Sequence, residues 1–388
     1  TPKIKSTKHL YIDLPAIRPK LEAWMKKASV DGFWANNAIQ MTQAWIRDGL
    51  KPRAITRDLK WGIPVPKPGY ENKVFYVWFD APIGYISITA ALAKEKGFDY
   101  KSWWQSPHDV ELFQFIGKDN IPFHTVIFPS TLLGSGQNWT MLHHMSSTEY
   151  LNYEAGKFSK SKGIGVFGTD AIETGIPADV WRFYIFYNRP EKSDFTFTWS
   201  DFLEKVNGEL IGNLGNLINR TLTFITRFYK GNLPDGKPDA GFWEEVKKLE
   251  QGIAEKLNRA ELRDAFHDAF AIADIANKRF QATEPWKART ENPEAAASLL
   301  FDLTYVIRDL SILMYPYMPK AMETLANSLG LSFKGEHALT WNTIGTLSGI
   351  TKIGNPGILF QKLEPDFIMS LKEKYSGSQA ERKQEQIK

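Results

Sequence analysis

Cysteine is absent from this 388-residue sequence, which removes disulfides, thiolate-ligated zinc, iron–sulfur clusters and thiolate catalysis together. Any covalent catalysis must use another nucleophile. No apolar stretch reaches the roughly 18 residues that a membrane-spanning helix needs, so no membrane partner is expected. The polar, basic opening TPKIKSTKHLYIDLP lacks the order of parts of a signal peptide, and the expected compartment is the cytoplasm. Charge of one sign is also scarce. Lys and Arg number 48 against 44 Asp and Glu, a net +4 that permits a polyanionic partner without demanding one. Neither a GxxxxGK[ST] phosphate loop nor an HExxH motif occurs. What is plentiful is aromatic: 25 Phe, 14 Tyr and 13 Trp within a 43% hydrophobic composition. Such a chain folds around a sizeable core, and its length suits two or three domains.

The first two hundred residues change period often. Residues 73–85, KVFYVWFDAPIGY, set Val74, Phe75, Val77 and Phe79 in an apolar run of strand length, punctuated by Pro82 and Gly84. Residues 109–134 read as strand, turn, short helix and strand. Around them, LPAIRPKLEAWMKK and NNAIQMTQAWIRDGL read as helices, the second ended by Gly49 and Pro52. Apolar strands separated by helices predict a parallel sheet covered on both faces. From about Trp199 the spacing becomes helical, beginning with residues 199–231, where Ser200 is the expected N-cap and Gly231 the stop. Three more helical passages with short connections follow, which predicts a bundle. The fold class expected is α/β followed by an all-helical part. A turn-rich tail begins at Gly349, and its end, SGSQAERKQEQIK, is expected to fray.

The clearest short feature is KFSKSKG, residues 157–163. Its lysines at 157, 160 and 162, interleaved with serines and closed by Gly163, make a cationic loop suited to triphosphate oxygens. A solvated surface turn would look the same from charge spacing alone.

KFSKSKG resembles the KMSKS signature of class I aminoacyl-tRNA synthetases, with Phe158 where methionine is usual. YVWFDAPIGY (76–85) and FIGKDNIPFH (115–124) precede it in the order and approximate spacing of the methionyl-tRNA synthetase family, and GIPADVWRFY and NLINR follow. The resemblance runs over nearly the whole chain, and KDNIPFH with KGIGVFG looks most like the eukaryotic-style branch.

The resemblance implies a Rossmann-type catalytic domain, of which this chain holds the C-terminal part, followed by a helical anticodon-binding bundle. The implied limits are 1–162 for the catalytic part, 163–200 for the lysine loop and stem-contact linker, 201–348 for the bundle and 349–388 for a tail packing back. It maps a methionine pocket onto Trp78, Ala81, Pro82, Tyr85, Asn120 and His124, and an aromatic slot suits an unbranched thioether. Without it, Trp78 and Tyr85 would read as core and His124 as a hydrogen-bonded core histidine. Gly117, Lys118 and Asp119 are implied on the nucleotide side, joined by Lys157, Ser159 and Lys160 of the loop. Arg57 is implied near the reacting carboxylate and phosphate; its plain reading is an ion pair with Asp58 or another local acid. The catalytic set is then Lys157, Lys160 and Arg57.

Asn216 and Arg220 share a helix face, and Trp286 follows Pro285 at a helix junction. They match the family's anticodon-reading positions; otherwise Asn216 would cap a helix and Trp286 would pack between helices. The function implied is methionine–tRNA ligation. Its partners are L-methionine, tRNA(Met) and ATP with Mg²⁺, and no zinc ligand lies in this chain.

No HIGH-like histidine motif and no cysteine-bearing zinc knuckle is present. The expectation is therefore that this chain is the second part of a longer polypeptide, with a HIGH-containing N-terminal segment as its partner and little aminoacylation in isolation. The rival readings are a noncatalytic tRNA-binding chain or subunit derived from a synthetase, and an unrelated α/β-plus-helical structural protein.

Overall fold

The computed structural model describes Ile4, residues 6–355 and residues 357–377. The fraying expected at the extreme C-terminus falls mainly on 378–388, outside the described residues. The chain forms two compact units: Thr1–Tyr150 with Glu191–Ser193, and Leu151–Pro190 with Asp194–Lys388.

In the first unit the centre is a pair of parallel strands, Leu112–Gly117 and Leu142–Thr148. Helices Leu14–Asp31 and Asn36–Arg47 pack against the second strand, burying Leu21, Met25 and Ala38 beside Ile121, Val126 and Met145. Asp13 caps the first helix by accepting from Ala16 N at 3.2 Å, and Gly49, at φ +91°, turns the chain after the second.

Two strand expectations need correcting. Within residues 73–85 the strand is only Val74–Phe75, paired antiparallel with Thr56–Arg57. Val77–Asp80 is a helical turn, and Pro82 leads into the helix Ile83–Lys96. Proline's fixed φ suits a helix start, so the residue read as a strand terminator introduces a helix. The second strand expected before residue 134 is also helical: Phe123–Ile127 forms a π turn continued by Phe128–Gly134. A short run buried all round looks alike as helix and as strand. The true partner strand is LHHMSST, whose two histidines and three hydroxyl residues hide it from an apolar pattern.

The second unit opens with Leu151–Tyr153 between Gly156–Lys157, antiparallel, and Phe195–Phe197, parallel. Below it Trp181, Tyr184, Phe197, Trp199 and Phe202 build an aromatic core. Trp199 Nε1 donates to Tyr153 Oη at 3.0 Å, and the Tyr153 hydroxyl donates to the Tyr375 carbonyl at 3.1 Å. The long helix begins at Trp199, but its cap is Thr198, which accepts from Asp201 N at 3.1 Å, rather than Ser200. Thr198 is the last extended residue before the helix, where a capping side chain can reach back. The helix widens to π geometry over Val206–Gly215, a stretch with three glycines, and resumes as Asn216–Tyr229. It stops there, with Lys230 and Gly231 both at positive φ.

Helices Ala240–Asn258, Leu262–Thr283, Pro285–Glu291, Pro293–Met314 and Pro319–Ser328 complete the bundle. Pro293–Met314 is buried on nearly every side, as the central helix of a bundle must be. The tail returns as a further helix, Pro365–Lys374, with Ile368, Leu371 and Tyr375 in the core. The architecture is thus a mixed α/β region followed by a largely helical one. Among the described residues no helix is long and apolar enough to cross a membrane.

Candidate functional site

The parallel pair ends with Gly117 opposite Thr148, and ligands of open parallel sheets gather at such carboxyl ends. A Cβ at Gly117 would meet no heavy atom within 4 Å, so the space over its backbone is open. Lys118, Asp119 and Asn120 form one 3₁₀ turn beyond it. Lys118 Nζ lies 2.5 Å from Glu149 Oε2 and 4.0 Å over the Tyr150 ring. The Tyr150 hydroxyl donates to the Asp119 carboxylate. Asn37 Nδ2 donates to Glu149 Oε1 at 2.8 Å, and the Ser147 hydroxyl donates to Asn37 Oδ1. Asp119 is exposed, with a second carboxylate oxygen able to accept from a vicinal diol.

Asn120 joins this turn to an aromatic slot. Its carbonyl accepts from His124 Nδ1 at 2.8 Å, while Tyr85 Oη lies 2.8 Å from His124 Nε2. Burial pushes the His124 pKa below its ordinary value and the Tyr85 pKa above its own, so both are neutral at pH 7. With its proton on Nδ1, His124 offers the Nε2 lone pair to the Tyr85 hydroxyl. Trp78 stacks on Phe123 with ring centroids 4.3 Å apart and planes at 15°. Pro82 is buried and Ala81 exposed, while Trp78 and Tyr85 keep 38% and 39% of their surfaces exposed. These aromatics are therefore only half used by the unit's own packing. A cavity of about 660 Å³ opens beside Tyr85, lined in part by Ile88, Trp104 and Leu112.

Arg57 does not pair with Asp58. Its guanidinium donates to the Thr56 carbonyl at 2.8 Å and lies 3.6 Å from the Tyr76 ring centroid. Asp58 instead receives Lys73 and Thr7, whose hydrogen bonds hold its carboxyl down at about 2.

The lysine loop, in the second unit, is closed by two backbone hydrogen bonds of 3.0 Å between Ser159 and Ile164. Lys160, Ser161 and Lys162 form its exposed tip, and Gly163, at φ +64°, turns it. Lys157 is exposed on the short strand beside Asn152. Phe158 packs inward, 5.1 Å from the Tyr153 ring and against Gly165, where a Cβ would stand 2.1 Å from Phe158 Cδ1. The aromatic residue at the methionine position of the signature is thus an anchor that fixes the loop's base.

In the bundle, Arg220 donates to the Asn277 carbonyl at 2.6 Å and lies 3.9 Å over the Phe280 ring. Asn216 is exposed, with Nδ2 3.4 Å from Asn277 Oδ1. Trp286 is 42% exposed, its ring 6.4 Å from Phe280. The three residues singled out in sequence gather around Asn277 and Phe280.

Sequence reading missed Phe123, Glu149, Tyr150, Asn37, Asn277 and Phe280. Phe123 stood next to His124 and was within reach; the others carry no short-range signature. Among the described residues, no three His, Asp or Glu side chains converge as ion ligands.

The family model for class I (M) tRNA synthetases matches residues 1–222, and the model for the anticodon-binding domain of methionyl-tRNA ligase matches residues 233–380. The methionine–tRNA ligase of Treponema denticola is 55% identical over 408 aligned positions, covering 98% of this chain and 52% of that protein. That of Borrelia garinii is 52% identical, covering 99% of this chain and 52% of that protein. The chain therefore spans about half the length of the curated relatives it matches. Methionyl-adenylate-bound methionyl-tRNA synthetase from Mycobacterium tuberculosis shares the fold, with a TM-score of 0.77 at 21% identity over 90% of this chain and 68% of that one. Two expectations fall with these matches. These relatives are bacterial, which overturns the eukaryotic-style assignment. The synthetase model matches residues 1–222, so the chain includes the class I catalytic domain, against the expectation that it holds only that domain's C-terminal part. A separate HIGH-bearing partner chain finds no support in these matches.

Proposed function

This chain belongs to the methionine (M) family of class I tRNA synthetases, and from that premise we propose that it serves ATP-dependent activation of L-methionine and its transfer to tRNA(Met). The observation that carries the reading is one continuous arrangement: a half-exposed aromatic slot shares Asn120 with an open turn at the carboxyl end of a parallel strand pair. An apolar side chain and a nucleotide would lie next to each other there.

In this reading Trp78, Ala81, Pro82, Tyr85, Asn120 and His124 hold methionine, whose sulfur packs well at ring edges. Gly117 lets the nucleotide approach the backbone, Asp119 accepts from the ribose hydroxyls, and Lys118, steered by Glu149, supplies positive potential. A methionine carboxylate oxygen attacks the α-phosphorus; the new O–P bond forms as the Pα–O bond to pyrophosphate breaks, and its electron pair leaves with pyrophosphate. The terminal adenosine hydroxyl of tRNA then attacks the activated carbonyl and AMP departs. Such chemistry needs alignment and charge neutralisation more than a side-chain nucleophile. Lys157, Ser159 and Lys160 supply these at the triphosphate and Arg57 at the carboxylate. Mg²⁺ would come with the triphosphate and offset part of its charge.

Asn216, Arg220 and Trp286 would read the unpaired anticodon, two by hydrogen bonds and one by stacking. The segments 1–162, 163–200, 201–348 and 349–388 are proposed as the catalytic part, linker, anticodon-binding bundle and tail, working in the cytoplasm.

Lys160→Ala tests the reading through methionine-dependent ATP–pyrophosphate exchange. The expected loss is at least about tenfold, roughly 1.4 kcal/mol of transition-state stabilisation. Exchange undiminished by the substitution would remove Lys160 from the mechanism. No exchange even in the unsubstituted chain, with tRNA binding retained, would favour a noncatalytic tRNA-binding role.

A further inference from the structure

Within the bundle, the surface built by Asn216, Arg220 and Trp286 does not end with them. Asn216, Arg220, Phe224 and Phe228 recur every four residues along the Asn216–Tyr229 helix and so share a face. From Asn216 to Phe228 the helix climbs about 18 Å at 1.5 Å per residue. The adjacent Pro285–Glu291 helix carries Trp286 and Arg289 three residues apart. Aromatic contacts run along the stripe, from Trp286 to Phe280 at 6.4 Å, Phe280 to Phe224 at 6.2 Å and Phe224 to Phe228 at 4.6 Å.

At the far end two guanidiniums share one ring. The Arg289 Cζ lies 4.4 Å and the Arg227 Cζ 5.2 Å from the Phe228 centroid. All three side chains are exposed, Phe228 by 39%. Among the described residues neither arginine takes part in an ion pair; Glu284, the junction residue just before the Pro285–Glu291 helix, is held by Lys287. The two charges lie inside one Debye length, about 10 Å at 0.1 M salt, so they repel each other. An exposed phenyl ring shared by two arginines that form no ion pair among the described residues suits a chain of phosphates with unstacked bases, because guanidinium binds phosphate bidentately while ring and guanidinium planes stack bases.

We propose that Arg227, Phe228 and Arg289 form a second platform that holds the phosphates and flanking bases of the same single-stranded tRNA loop, extending the recognition surface along the helix. The inference rests on the tRNA-reading role proposed above for Asn216, Arg220 and Trp286, and adds contacts that carry affinity more than sequence choice.

The test is the salt dependence of binding between the full chain and a tRNA(Met) transcript, comparing the unsubstituted protein with R227Q/R289Q, R227K/R289K and W286A. The Gln pair is expected to weaken binding about tenfold and to flatten the log–log salt slope by roughly 1.4, at about 0.7 per single-strand phosphate contact. The Lys pair should keep the slope and lose part of the affinity, since lysine keeps the charge without the stacking plane. An unchanged slope in the Gln pair, or a slope lost equally in the Lys pair, overturns the platform. If W286A weakens binding while the Gln pair does not, the platform falls and the tRNA-reading role stands. If neither does, both fall. Thermal unfolding checks the fold, and should the Gln pair unfold, R227Q and R289Q singly decide, an unchanged slope in both overturning the proposal.

Discussion

Tyr85 and His124 show how much one residue's environment adds to its identity. In sequence both were aromatic residues of ambiguous role; in the fold a backbone carbonyl and a phenol fix the histidine's tautomer. Tyr85→Phe leaves the Nε2 lone pair without a donor, a loss of about 1 kcal/mol. The expected outcome is a roughly fivefold rise in KM for methionine in the exchange assay, with the folded state retained; an unchanged KM would detach the pair from methionine binding. Because burial lowers the His124 pKa in the folded state, the unfolded chain takes up this proton first as pH falls. This histidine's contribution to stability is therefore present above its ordinary value of 6.5 and is lost below it. Phe123 adjoins His124 in the sequence, but its stacking on Trp78 depends on two segments meeting in space.

At the scale of elements, the lysine loop was legible as a motif, but its support was not. The hairpin rests on Phe158 packing its ring edge against Gly165, at φ +124°, and on Tyr153 from the preceding strand. Gly165→Ala would add both backbone strain and overlap with the ring. We expect pyrophosphate exchange to fall at least about tenfold while the unfolding temperature shifts by only a few degrees, roughly 1 kcal/mol. Phe158→Ala in the same chain should recover part of the loss by removing the overlap but not the strain. Full exchange in Gly165→Ala would show that loop geometry does not limit the reaction. The helices were readable because amphipathic spacing repeats over many turns. The strands were not, since LHHMSST owes its place to the partner it pairs with and to the helices covering it.

For the whole molecule, stability should carry a pH signature from a buried carboxyl pair. Glu250 and Asp309 lie side by side in the bundle; Arg308 donates to Asp309 Oδ1 at 2.6 Å, and Gly345 N donates to Oδ2 at 3.1 Å. Burial and the neighbouring Asp309 charge, outweighing the nearby Arg308 and Lys247, push the Glu250 carboxyl up to about 8. The native state then holds a proton that the unfolded chain releases near 4.5, so stability falls as pH rises between these values. Glu250→Gln replaces the protonated acid with a neutral amide and should flatten this component. The difference in unfolding temperature between the two proteins from pH 5 to pH 8 is the measurement, and parallel profiles would remove Glu250 as the source.

Composition, the order of short motifs and helical periodicity belong to the chain itself, so the sequence alone determined the α/β-then-helical class, the family and the residues worth testing. Contacts between distant segments decided the rest. Val77 and Phe79 left their apolar run for helical structure, Thr198 took the cap from Ser200, and Asn277 and Phe280 joined Asn216, Arg220 and Trp286. Arg227 and Arg289 came to share one exposed ring. Local pattern fixes which face of an element is apolar, whereas tertiary packing chooses what that face meets, and with it which polar groups are paired, buried or left open to a ligand.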